Sequence, residues 1–409
     1  MANKNVVIFI HGIGKHEAGW ANGPGGPIET LTAASKDPAY GDVFSADNPL
    51  GASIKFEEIR YDDIFEEVRT QWQTLAQNLS NAGFDGASAS SVAALQGFLP
   101  NALQTFAGVL DEDKWFATHA LDAILYKGFR LVRQIVRYSV AAQLAKIAAD
   151  NVQADRDDDP TYTIVAHSLG TAVAYDAIDL LGRAGWLKGV TQISDENLAT
   201  QIDQATFDRV KSRYGANPFS SEGIWDWHGL VMLANVAPLF CSTPAPHSVD
   251  ARVRPKHSGG TNGRSLENYF NVDHMFDPIG KVKPFSAMQT WPIAAREAFA
   301  FDVVGLRHFY DKNVHGFSHY LIHPSVHSRI FWLACPKRFR WSSVKKADER
   351  VGQGGFSNFG PDLTDDVKRL AMEKGLADIF AVKDRVTKEI DKYVGTINAL
   401  GAFLNQVTL

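Results

Sequence analysis

The sequence predicts an α/β fold with a mostly parallel central sheet flanked by helices. Short β-rich apolar runs bounded by turn residues recur at 6–10, 54–61, 163–166, 230–236, 269–272 and 303–309. Longer stretches with helical periodicity lie between them, the alternation expected of crossover connections. Runs such as Val6-Val7-Ile8-Phe9-Ile10 are apolar at every position, as strands covered on both faces are.

Taken in order, the first run leads into His11-Gly12 and the second into Tyr61-Asp62-Asp63. Residues from about 64 to 151 are helical in pattern, broken by a small-residue loop at 80–91, and read as a helical insertion. Residues 247–265 are polar and rich in Gly and Pro, hence a loop, and 352–361 read as a linker. Beyond it a helix is expected over about 362–404 with a break at Gly375. The expected organisation is one domain over 1–351 carrying the insertion at about 64–151, then a linker and C-terminal helical extension over 352–409. No internal repeat is visible.

A chain of 409 residues, 45% hydrophobic and 21% charged, can bury a generous core without metal or disulfide staples. Its 41 basic and 46 acidic residues give a net charge of −5, which excludes an electrostatic nucleic-acid binder. Cys241 and Cys335 are the only cysteines, too few for a disulfide scaffold or a multi-cysteine metal centre. No signal-type segment precedes Val6, and no run approaches the ~18 apolar residues of a spanning helix. Together with the low cysteine content this predicts a cytoplasmic protein.

The chemistry is densest at 163–171, Thr-Ile-Val-Ala-His-Ser-Leu-Gly-Thr. An apolar strand ends there in a tight turn with Ser168 at its tip, and helical periodicity resumes at once. Such a turn exposes the serine Oγ above the sheet edge, and small residues two before and two after let the chains pass closely. Ala166 stands where glycine is usual. The His11-Gly12 step after the first strand suits an oxyanion loop, because glycine lets backbone N–H groups turn inward. The N–H groups of Ile13 and Leu169 are the expected donor pair.

These residues resemble the α/β-hydrolase serine esterases, in the lipase-like branch that includes DDHD-type phospholipases. The resemblance is carried by residues 7–14, 61–63, 164–170, 237–239 (Ala-Pro-Leu) and 274–279 (His-Met-Phe-Asp-Pro-Ile), spread over roughly four fifths of the chain. It implies an α/β-hydrolase fold and a Ser-Asp-His order along the chain. Asp277 matches the family's Asp-Pro step and is the expected acid, with Asp273 and Asp302 as rivals. The His-Tyr-Leu-x-x-Pro-x-Val pattern points to His319 as the base, with His315, nearer the strand, as its rival. His323 and His327 are expected to face solvent or cap the next helix. The four histidines recur every fourth residue, but Gly316 and Pro324 interrupt a continuous helix and no carboxylate or cysteine completes the set, so no metal site is expected.

The reaction so implied is hydrolysis of a carboxylic ester, lipid or lipid-like, through an acyl-enzyme and without a cofactor. Within 121–147, Leu121, Ile124, Leu125, Leu131, Val132, Ile135 and Val136 fall opposite Lys127, Arg130, Arg133 and Arg137. That amphipathic helix suits a lid over an acyl pocket, or peripheral contact with an anionic membrane. The C-terminal stripe Val386, Ile390, Tyr393, Ile397, Leu400 and Leu404 suits packing back onto the same subunit. A hydrolase-fold binding protein without catalysis is the alternative from another class. Acyl transfer or peptidase chemistry on the same three residues is a further one.

Overall fold

A computed structural model describes residues 5–67, 130–151, 160–181, 227–240, 266–274, 300–306 and 315–352, with single positions at 70, 122, 126, 127, 205, 208, 212 and 277. The chain divides into two compact units. The first draws on residues 1–12, 17–59 and 137–379, the second on 13–16, 60–136 and 380–409.

Among the described residues the first unit holds six strands: β1 (Asn5–Ile10), β2 (Ile54–Ile59), β3 (Tyr162–His167), β4 (Trp227–Leu233), β5 (Leu266–His274) and β6 (Ala300–Leu306). They lie in the order β2-β1-β3-β4-β5-β6, and every neighbouring pair is parallel. The described helices of five residues or more are α1 (Pro27–Ser35), α2 (Arg130–Asp150), α3 (Leu169–Leu181), α4 (Phe317–Leu321), α5 (Pro324–Ala334) and α6 (Trp341–Gly352). The fold is α/β. Parallel strands cannot be joined by tight turns, so long crossover connections are required, as the alternation of apolar runs anticipated.

Alternation along each strand divides the core in two. Val7, Phe9, Val165, Val231, Leu233, Phe270 and Val272 share one cluster with Leu31 of α1 and Ile330, Phe331 and Leu333 of α5. Their neighbours Ile8, Ile10, Ile164, Ala166, Leu230 and Met232 are equally buried, so both sheet faces are covered. On that other face α3 packs on β1 and β3. Arg329 ties α5 to α6 with a two-pronged pair to Asp348, both contacts at 3.0 Å, and its guanidinium lies over the rings of Phe270 and Trp341.

Strand ends differ from the sequence expectation. β4 and β6 each begin three residues earlier than the runs at 230–236 and 303–309 and end three earlier. For β4 the cause is local. Ala234 adopts φ 49°, a left-handed turn inside the 230–236 run and just before Asn235, and its N–H donates to the Val272 carbonyl. The expected linker also starts later, because α6 runs through Gly352.

In the second unit Tyr61 packs edge-on against Phe65, and Asp62 accepts the His16 backbone N–H at 2.7 Å. Burial, with Asp122 and then Asp62 nearby, pushes the Tyr61 hydroxyl well above its ordinary pKa. The Arg133 guanidinium lies over the Tyr126 ring, 5.5 Å from its centre. Arg133 and Arg137, two of the basic residues expected opposite the apolar side of the 121–147 stretch, are half-buried. The loops at 80–91 and 247–265 and everything after 352 lie outside the described residues, as does most of the insertion expected to form a lid. Among the described residues no helix is long and apolar enough to cross a membrane.

The strand order places β2 and β3 on opposite sides of β1. Where connections depart in opposite directions, a crevice opens beyond the carboxyl ends of the strands. The chain leaves β1 there as His11-Gly12 and leaves β3 as Ser168.

Candidate active site

Ser168 occupies the single residue between β3 and α3 and holds φ 53°, a left-handed conformation that costs a non-glycine residue about 1 kcal/mol or more. Its surroundings keep it there. The Ser168 N–H donates to the Leu233 carbonyl at 3.0 Å, and its carbonyl accepts from the Thr171 N–H at 2.9 Å and the Thr171 hydroxyl at 2.6 Å. The Thr171 hydroxyl oxygen accepts in turn from the Val236 N–H at 3.0 Å. Beside it Asn235 donates to Asn271 and Tyr269 and accepts from the Ala237 N–H, a buried polar lattice under the turn.

Two glycines permit the close approaches. A Cβ at Gly170 would lie 2.2 Å from the His11 carbonyl oxygen, so only glycine lets α3 start against the end of β1. A Cβ at Gly12 would lie 2.9 Å from Ser168 Cβ and 3.0 Å from His167 Nδ1. The His-Gly step is therefore a place where backbone, with no side chain, reaches the serine.

His315 sits against Ser168. Its Nε2 is 2.9 Å from Ser168 Oγ, and its Nδ1 is 2.7 Å from Asp277 Oδ2. A carboxylate only accepts, so Nδ1 carries the proton and Nε2 is left to accept from the serine hydroxyl. The three residues are almost wholly buried: Ser168 2%, Asp277 0% and His315 6% exposed. Asp277 is placed by its own N–H, which donates to the His274 carbonyl at 3.1 Å, and Tyr320 donates its hydroxyl to Asp277 Oδ2 at 2.6 Å. Burial and then the Asp277 charge drive the Tyr320 hydroxyl well above its ordinary pKa, so it remains a donor.

The residues expected from the sequence divide accordingly. Ser168 and Asp277 meet across one imidazole, and that imidazole is His315, not His319. His315 precedes Gly316, the extended residue that caps α4, whereas His319 lies inside α4. One turn of helix carries His319 away, to face His274 with ring nitrogens 3.4 Å apart. Asp273 is a half-buried residue near the end of β5, and Asp302 lies within β6 in register with Phe270.

Of the remaining histidines, His323 caps α5, its Nδ1 accepting from the Ser325 N–H at 3.2 Å. His327 does not face solvent: it is buried between Tyr40 and the Leu321 carbonyl. The four histidines thus serve four different neighbourhoods and form no common stripe.

Leu169 is the first residue of α3, and the first N–H groups of a helix have no partner within it and carry the positive end of its dipole. Ile13 falls in the second unit and is half-buried there. Sequence reasoning missed two residues, His167 and Tyr320. His167 adjoins the serine and could have been marked by that adjacency; Tyr320 follows a candidate histidine, but its partner lies 43 residues away.

No protein-family model matches the sequence, and no curated protein matches it either.

Proposed function

We propose that the protein is a serine hydrolase of carboxylic esters, using Ser168 as nucleophile, His315 as base and Asp277 as the acid that orients it. The observation that carries this reading is the continuous chain from Ser168 Oγ to His315 Nε2 at 2.9 Å and from His315 Nδ1 to Asp277 at 2.7 Å. It begins on a serine held at φ 53° between a strand and a helix. A buried ordinary hydrogen-bond network needs no strained serine at its tip, whereas an α/β-hydrolase nucleophile does.

In this reading Ser168 Oγ attacks the acyl carbon as its proton passes to His315 Nε2. Asp277 stabilises the imidazolium without taking its proton. The oxyanion is met by the Leu169 N–H at the head of α3. His315 then gives its proton to the departing alkoxide oxygen, leaving an acyl group on Ser168. Water, giving a proton to the same imidazole, attacks that acyl carbon; the acyl–Oγ bond breaks, the imidazolium returns the proton to Ser168 Oγ, and the carboxylic acid departs. The resemblance to lipase-like esterases supports a lipid or lipid-like acyl group.

A panel of chromogenic acyl esters from short to long chains, run on wild type and Ser168→Ala, tests the proposal. Turnover present in the wild type and lost in Ser168→Ala is the expected result. Turnover in neither protein returns the fold to a binding role.

A further inference from the structure

We propose that His167 is a positioning residue: its ring holds the backbone of His315 and so sets the height of the base above the nucleophile. The inference rests on the hydrolase reading and goes beyond it. His167 is the last residue of β3, directly before Ser168, and only 6% exposed. Its Nε2 lies 2.6 Å from the His315 carbonyl oxygen, across 148 residues of chain. A carbonyl can only accept, so Nε2 carries a proton and donates it.

The ring is gripped on its faces as well as at its tip. Phe317 stacks on it at 5.1 Å with 16° between the planes, and the His315 ring itself lies 4.8 Å away. On another side only glycine fits, because a Cβ on Gly12 would come within 3.0 Å of His167 Nδ1. Backbone from the β1 loop, the serine turn and the segment carrying the base thus meet around one imidazole. The residue adjoining the nucleophile in sequence is the one that grips the base's main chain. Such a tie makes the serine-to-imidazole distance a property of one side chain's length. It need not depend on how the chain reaches residue 315.

Geometry of this kind acts on the chemical step. A base displaced by about 1 Å loses on the order of 10²-fold in rate, while substrate binding is little changed. The conservative variants separate this from a packing role. His167→Phe keeps a flat ring and removes the donor. In His167→Gln the amide nitrogen stands where Nε2 stands, whereas in His167→Asn it stands where Nδ1 stands and cannot reach His315.

The experiment measures kcat and KM on an activated acyl ester, the rate of fluorophosphonate labelling, and the melting temperature for wild type and all three variants. His167→Phe and His167→Asn are expected to lose roughly 10²-fold in kcat and in labelling rate with KM unchanged. His167→Gln is expected to recover to within about tenfold of wild type. A wild-type kcat in His167→Phe, or a folded His167→Gln that loses as much as His167→Asn, overturns the inference. Where His167→Phe does not fold, the Gln and Asn pair carries the same contrast. If the wild type itself neither turns over ester nor labels at Ser168, the hydrolase reading falls and this inference falls with it.

Discussion

Tyr320 donates its hydroxyl to Asp277 at 2.6 Å, on the same carboxylate oxygen that receives the His315 Nδ1–H at 2.7 Å. Both donors come from one short stretch of chain, so Asp277 is locked to the segment that carries His315.

Removing that hydroxyl leaves a fully buried carboxylate with one donor fewer. Tyr320→Phe should destabilise the protein by about 1–3 kcal/mol, read by urea unfolding. It should also lower kcat about tenfold with KM unchanged, because the acid still orients the imidazole but less firmly. Wild-type stability and kcat in this variant would show the hydroxyl to be idle.

The two rival histidines are separated by activity. His315→Ala should cost roughly 10³-fold or more in kcat, and Asp277→Asn on the order of 10⁴-fold, because the amide favours the wrong ring tautomer. His319→Ala should keep substantial turnover. The opposite ranking would move the base to His319.

Strain at the serine makes a prediction for two inactive variants. Neither Ser168→Ala nor Ser168→Gly can turn over ester, but only glycine adopts φ 53° without cost. Ser168→Gly should therefore be the more stable by about 1 kcal/mol in chemical denaturation. Equal stabilities, or alanine ahead, would mean the turn relaxes when the hydroxyl is lost.

Acid should weaken the fold through His327. Burial lowers its pKa from 6.5 to about 4, with Nδ1–H donating to the Leu321 carbonyl and Nε2 accepting from the Tyr40 hydroxyl. The unfolded chain binds this proton first as the pH falls. The stability His327 contributes is thus fully present above pH 6.5 and is lost between there and about pH 4. The loss attributable to this group is on the order of 3 kcal/mol. Denaturant titrations from pH 7 to pH 4 should show that slope, and a folded His327→Gln should flatten it. An unchanged slope in the variant would assign the acid sensitivity elsewhere.

Much of this was legible before any coordinates. Parallel strands write themselves as apolar runs, so all six appear, although Ala234 hides the end of β4 inside such a run. Ser168 is marked by the strand, turn and helix around it, and Asp277 by its proline. Which histidine meets Ser168 is harder to read, because spacing by four says which histidines share a helical face but not where the helix begins. That boundary falls at Gly316 and leaves His315 outside it. The partners of Tyr320 and His167 lie 43 and 148 residues off along the chain, a relation that no local pattern encodes.

The parallel sheet has a kinetic consequence. Each of its five strand pairings closes a long loop, and chains dominated by such non-local contacts fold slowly. Ser168 and His315 stand 147 residues apart, on either side of the three described strands that follow β3. Closing so long a loop first is entropically costly, so the contact forms most readily once those strands have paired. On refolding from denaturant, regained esterase activity should therefore lag the return of helical and sheet signal, making turnover a clock for the last event in folding rather than the first.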